Sequence, residues 1–253
     1  MAVSTLVRMT RIIAGAAAMV RLEVPPRGTR PTSDKVREAL FSSLEAMFEF
    51  DGARVLDLYA GSGALALEAI SRGAERATLV EQAHSAVRLA KANAAAVAER
   101  IRTAQGAGGR AARRAASVEG RAFEDAAARA KSAPTAARRG AVPAIDVVAA
   151  SVRTYLATAS AEVDLVFLDP PYDLPNHDLT SDLAALAPRL HPDALVVVER
   201  TTRTGDLDLP PGLRLLRRRD YGETALHFVE VDPDASGEDP AASCKDGTHD
   251  DAL

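Results

Sequence analysis

The chain has 253 residues, 47% of them hydrophobic, enough for one sizeable α/β domain with appendages. No apolar run is long enough to span a bilayer and no signal-peptide apolar region opens the chain, so a cytoplasmic protein without membrane contact is expected. The single cysteine, Cys244, lies in a polar tail and the five histidines show no ligand spacing, which excludes a disulfide framework and makes a metal-free protein the expectation. The net charge of −4 conceals an asymmetry. From Asp232 onward seven acids face only Lys245, so the rest of the chain is close to +2.

Residues 1–32 contain Pro25-Pro26, Gly28 and Pro31 and read as a small extended arm or hairpin. Met9-Thr10-Arg11 within it is a plausible second start of translation. Arg8, Arg11, Arg21, Arg27, Arg30, Lys35 and Arg37 face only Glu23 and Asp34, which suits a phosphate-rich partner. Thr32 or Ser33 is placed to cap a helix with Asp34 in its first turn and Val36, Leu40, Leu44 and Met47 at helical spacing.

Strand and helix then alternate. Strands are predicted at 54–59, 77–81, 144–148, 163–168 and 194–199, with helices at 64–72, 84 to about 100, near 152–157, and 178–190. Segments 213–219 and 224–231 flank Asp220-Tyr221-Gly222-Glu223 and read as a hairpin at the sheet edge. Residues 102–142 are rich in alanine and arginine, with few large apolar side chains to offset ordering entropy. A mobile insertion with at most one marginal helix is expected there. The expected domains are an arm (1–32), a catalytic α/β domain (33–231) and a disordered acidic tail (232–253).

Two loops carry chemistry. Asp169-Pro170-Pro171-Tyr172 closes an apolar strand with two prolines that cannot extend it. A carboxylate, stiff backbone acceptors and an aromatic face then lie close together, a set suited to a planar base bearing an amino group. The second loop is Asp57-Leu58-Tyr59-Ala60-Gly61-Ser62-Gly63, whose glycines allow positive φ and close approach to a ligand. A nicotinamide-dinucleotide site fits it poorly, because Asp57 would repel a pyrophosphate. A hydrolase elbow at Ser62 has alanines where glycines are needed. S-adenosylmethionine fits better: its ammonium could pair with Asp57, its carboxylate face backbone N–H groups, and its ribose hydroxyls donate to Glu81.

Arg11-Ile12-Ile13-Ala14-Gly15, the run from Arg30 to Phe41, the loop from Asp57 to Glu68, Asp169–Tyr172 and Tyr221-Gly222-Glu223-Thr224 occur in this order. Together they resemble the RsmD-type 16S rRNA guanine-N2 methyltransferases. The resemblance covers residues 9–101 and 144–231. It implies a class I, Rossmann-like α/β fold: a mostly parallel seven-stranded sheet, an antiparallel edge hairpin and a small N-terminal arm. It implies S-adenosylmethionine as methyl donor and 16S rRNA, or the small ribosomal subunit or its assembly intermediate, as partner of a monomer. The catalytic residues would be Asp169, Pro170, Pro171 and Tyr172. Cofactor-binding residues would be Asp57, Tyr59, Gly61, Gly63, Glu81 and Thr32, and Arg11, Arg30 and Arg37 would contact RNA. Ser151 stands where the family often has an acid near the adenine. An adenine-N6 DNA methyltransferase and a non-catalytic RNA-binding or assembly factor are the alternatives.

Overall fold

The computed structural model describes residues 8–25, 34–118 and 142–236. Arg30, Thr32, residues 119–141 of the expected insertion and residues 237–253 of the expected tail lie outside them. The arm folds as an antiparallel hairpin of β1 (Arg8–Arg11) and β2 (Arg21–Val24), followed by α1 (Asp34–Glu45). The alternating part then runs β3 (Arg54–Leu58), α2 (Ala64–Ser71), β4 (Arg76–Glu81), α3 (His84–Val118) and β5 (Ala144–Ala149). It continues with α4 (Val152–Thr158), β6 (Val163–Leu168), α5 (Asn176–Leu186), β7 (Leu190–Thr201), β8 (Leu213–Tyr221) and β9 (Thr224–Val231).

The main sheet has seven strands in the order β5-β4-β3-β6-β7-β9-β8. β3 to β7 are mutually parallel, and β9 runs antiparallel between β7 and β8. This is the expected class I arrangement. The inner strands are buried on both faces, which is why they read as continuous apolar runs rather than alternations. Val55, Leu79, Phe167, Val197 and Phe228 contribute to one core, with α1, α2 and α3. Leu56, Leu58, Val80, Leu168 and Val198 contribute to the other, with α4 and α5. Arg54 locks the start of β3 to β6, donating from its backbone N, Nε and Nη2 to Asp164 at 2.7, 2.8 and 2.6 Å.

Three elements depart most from the sequence prediction. α3 continues to Val118, well beyond residue 100 and into the predicted insertion, because its alanines and arginines favour helix. α5 stops at Leu186 rather than 190, since Pro188 cannot continue it, and Ala187–Arg189 tighten into a 3-10 turn. β7 is longer at both ends than 194–199, as ladder partners run from Val163 on β6 to Thr224 on β9.

The arm is built into the core. Ile12, Ala17 and Leu22 are fully buried against the helices of the first face. The backbone N–H groups of Ile13 and Ala14 donate to the two carboxylate oxygens of Glu68 on α2 at 2.7 and 3.0 Å. Ser71 Oγ donates to the Ala14 carbonyl and accepts from the Ala17 N–H, while the Ala16 N–H donates to the Ser71 carbonyl. Gly15 sits over that carbonyl at φ 84°, where a Cβ would come within 1.9 Å of the Ser71 oxygen. Gly15→Ala should therefore cost roughly 2–4 kcal/mol from the clash and the left-handed backbone, lowering the melting temperature by several degrees in a circular-dichroism melt. Among the described residues no helix is long and apolar enough to cross a membrane.

Candidate active site

The site forms where β3, β4 and β6 end. Beyond β3 the chain turns through Tyr59 at φ 65°, Gly61 at 55° and Gly63 at 78° into α2. A Cβ on Gly63 would lie 2.3 Å from Leu79 Cδ2, so helix–strand packing requires glycine there. A Cβ on Gly61 would meet nothing nearer than the Tyr59 carbonyl at 4.0 Å. Gly61 instead borders an open cavity, as a glycine does where a ligand approaches the backbone.

Glu81 ends β4 with both oxygens engaged, accepting from the Gly61 N–H at 2.9 Å and the Ala83 N–H at 2.7 Å. The carboxylate is thus held against the glycine loop with lone pairs to spare. Asp57, 1% exposed, accepts from the Ala66 N–H at 3.2 Å. Burial pushes its carboxyl up to about 7, the Glu81 charge adding and the Ala66 N–H opposing. A cation beside it would pull it back to the ionised form. The Tyr59 hydroxyl donates to Asp182 on α5 at 2.5 Å, which anchors its left-handed backbone to the opposite layer. Burial and then the Asp182 bond raise its pKa.

Asp169 and Pro170 leave β6 at the same edge, and Tyr172 is 49% exposed. Burial first, then the charges of Glu199 and Asp57, hold the Asp169 carboxyl well above the ordinary carboxylate range. Arg200 grips the loop from below: its Nη2 donates to the Leu174 carbonyl at 2.9 Å and Asn176 Oδ1 at 3.1 Å. The Leu174 N–H also donates to the Pro171 carbonyl, closing the turn.

One cavity of about 370 Å³ joins these parts, within the range of small-molecule sites. Asp57, Tyr59, Gly61, Glu81 and Asp169–Tyr172 all line it, and Thr10, Val24, Pro25 and Arg37 close its other side. Gly63 supports the loop through Leu79 without lining the cavity. Arg37 requires a correction. It is 2% exposed, and its Nη2 donates to Thr10 Oγ1, the Arg11 carbonyl and Asp34 Oδ1 at 2.9, 2.6 and 3.1 Å. Burial lowers its pKa, and it serves the cavity wall and the arm rather than an RNA-facing surface. Arg11 does remain exposed, directly opposite Arg21 in the hairpin. Ser151 caps α4, accepting from the Thr154 N–H at 3.1 Å.

Sequence reasoning missed Glu68, Asn93, Asp182, Glu199 and Arg200, all at most 5% exposed. Asn93 carried a signal, since it interrupts the apolar stripe of Ala90, Ala94 and Val97 on α3. It donates to the Ser62 and Glu23 carbonyls at 2.9 Å, tying glycine loop to hairpin. Among the described residues no group of histidine, cysteine, aspartate and glutamate is arranged to hold a metal ion.

The chain is 28% identical over 232 residues to the ribosomal RNA small subunit methyltransferase D of Escherichia coli (strain K12), covering 91% of this chain and 93% of that protein. It is 43% identical over 84 residues to the Bacillus subtilis (strain 168) protein "Putative rRNA methyltransferase YlbH", a match spanning 33% of this chain and 45% of that one. The solved structure of a hypothetical protein from Thermus thermphillus superposes with a TM-score of 0.60 at 31% identity, covering 88% of this chain and 99% of that one. The family model "Conserved hypothetical protein 95" matches residues 10–125 and 107–230, nearly the whole span outside the two termini. With its class I sheet and its cavity at the strand ends, the chain belongs to this family, the RsmD-type methyltransferases.

Proposed function

We propose that the protein transfers a methyl group from S-adenosylmethionine to the exocyclic N2 of a guanine in 16S rRNA. The observation that carries this is the convergence of Asp57, Glu81 and Asp169–Tyr172 on one cavity. The residues fit the donor: a carboxylate pinned by two N–H groups, a buried acid near its neutral point, and a glycine whose missing Cβ leaves room. When bound, S-adenosylmethionine supplies an electrophilic methyl on a sulfonium.

The chain's residues then divide the work. Glu81 accepts from the ribose hydroxyls and Asp57 takes the ammonium. Arg37, the one cation among the described lining residues, faces the donor carboxylate. Thr32, outside the described residues, is proposed as a further contact to the donor. Asp169 and the Pro170 carbonyl accept from the guanine amino group, orienting its lone pair and favouring the charge that develops on nitrogen. Tyr172, half-exposed, stacks on a base drawn out of its helix, worth about 1–3 kcal/mol. Pro171 stiffens the turn. A single-stranded or loop target costs less to open than a duplex. A cytoplasmic monomer is part of this reading.

The RNA approaches over the hairpin. Arg11 and Arg21 face each other across β1 and β2, a like-charge pair that is unfavourable unless an anion bridges it. Arg30, outside the described residues, is proposed as a further RNA contact. Replacing Arg11 and Arg21 with alanine should weaken RNA binding and reduce the slope of log affinity against log salt by about 1–2. An unchanged slope would remove the hairpin from the interface. The decisive experiment maps tritiated methyl from labelled donor on unmethylated small subunits, naked 16S rRNA and DNA. Label on a guanine N2 of the small subunit or its rRNA is expected. Label on DNA adenine, or donor binding without transfer to any of them, would overturn the assignment.

A further inference from the structure

The β8 edge of the main sheet is basic. This outermost strand carries Arg214, Arg217, Arg218 and Arg219 against Asp220 alone. Two of the four are neutralised where they stand: Arg214 pairs with Glu230 at 2.7 Å, and Arg218 with Asp206 and Asp220 at 2.9 Å each. Arg217 and Arg219 are exposed and make no hydrogen bond or ion pair with a described residue. They pair across the strands with Phe228 and Leu226, both in the first core, so they stand on the face that carries the hairpin. Two residues apart on one face, at a spacing of about 7 Å, their like charges repel until an anion lies against them.

Strand register places this pair beside the site. Leu168 pairs with Val198, Glu199 with Leu226, and Leu226 with Arg219. Asp169, one residue past Leu168, thus shares a row across the sheet with Arg219, three strands away or about 15 Å. β8 runs in the direction of β7, since both are antiparallel to β9, so Arg219 lies at the end of the sheet where the cavity opens. The tip beyond it is fixed. Gly222 turns the chain at φ 63°, the Thr202 N–H donates to the Glu223 carbonyl at 2.9 Å, and Arg203 Nη2 donates to Glu223 Oε1 at 3.1 Å. The Arg11–Arg21 hairpin lies on the other flank: it contacts α2 and α3, which pack on β3, β4 and β5.

We propose that Arg217 and Arg219 form a second docking rim for the RNA phosphate backbone, on the opposite side of the acceptor loop from the hairpin. This rests on the reading of the cavity as a site of methyl transfer to RNA. Guanidinium groups suit phosphate oxygens, which they can engage through two parallel hydrogen bonds. Backbone contacts on both flanks fix the register of a strand without reading its bases. They leave the base between them to Tyr172 and the Asp169 loop.

The test is the double variant Arg217→Gln/Arg219→Gln. Its control, Arg76→Gln/Arg102→Gln, removes the same two charges from exposed positions at the start of β4 and on α3. The rim variant should bind small-subunit rRNA about 10- to 100-fold more weakly at physiological salt, with the slope of log affinity against log salt reduced by about 1–2. KM for RNA should rise in step, while turnover at saturating RNA, S-adenosylhomocysteine affinity and melting temperature stay near wild type. The control should change RNA affinity by less than about threefold, since general charge loss is screened over such distances. Rim-variant affinity and slope equal to those of the control overturn the proposal. If the double variant does not fold, the two single variants decide, each expected to remove about half of the slope change. Wild-type protein that binds rRNA but methylates no RNA overturns the methyl-transfer reading, and the same binding comparison still decides the rim. Wild-type protein that binds no RNA overturns both.

Discussion

Asp169→Ala is expected to reduce methyl transfer by about 10³-fold while leaving the protein folded and RNA affinity within a few-fold of wild type. The side chain sits among Glu199 and Asp57, whose charges oppose its own. Removing it should leave the melting temperature unchanged or slightly raised. Asp169→Asn keeps one acceptor oxygen at the same place, so a smaller loss, about 10–100-fold, is expected, together with loss of the acid limb that Asp169 imposes on the rate. Single-turnover assays with saturating donor, run beside filter binding of RNA, separate the two readouts. Near-normal turnover by folded Asp169→Ala would remove the acceptor role from this loop.

Donor binding should be strongly pH-dependent, through Asp57. Burial holds this carboxyl up to about 7 in the free protein, and an ammonium beside it requires the ionised form. Affinity for S-adenosylhomocysteine, which has the same ammonium, should therefore rise about tenfold per pH unit up to about 7 and level off above it. Calorimetry near pH 6 in two buffers of different ionisation enthalpy should show close to one proton released per ligand bound. Asp57→Asn should abolish that release and weaken binding by about 10²-fold. A flat affinity between pH 5.5 and 8.5 in the wild type would contradict the pairing.

The same group sets a cost on stability. The folded value of about 7 lies above the ordinary 3.8, so the unfolded chain ionises first. The stability this carboxyl contributes is complete below the unfolded value and is lost as pH rises through 7. About three pH units correspond to a few kcal/mol, so ligand-free Asp57→Asn should melt higher than wild type at pH 8, with a smaller gain at pH 5. A site that weakens the empty protein and is relieved by a cationic ligand is the expected signature of function traded against stability.

Much of this site was readable from local sequence. The Asp169–Tyr172 turn was legible because two prolines restrict their own backbone and that of the residue before them. The loop from Asp57 to Gly63 was legible because glycines between a strand and a helix permit few conformations. The strands were legible from their apolar runs, with errors at their ends, where pairing with β6 and β9 extends β7 and Pro188 cuts α5 short. Arg37 was misassigned to RNA. Its charge is visible in the sequence, but its turn toward Thr10 and the Arg11 carbonyl depends on the arm folding back over α1.

Sequence by itself determined the order of elements, the two cavity-lining loops and the acids within them, since each rests on interactions among residues a few positions apart. Only the tertiary structure decided that Glu199 stands beside Asp169, that Arg200 holds the turn, that Asp182 anchors Tyr59 and that Glu68 latches the arm. Those contacts join residues 24 to 123 positions apart, and strand order and burial bring them together. Burial is also what lifts the Asp57 carboxyl to about 7 and raises that of Asp169 well above the ordinary carboxylate range, because desolvation is a property of the folded surroundings and not of the residue.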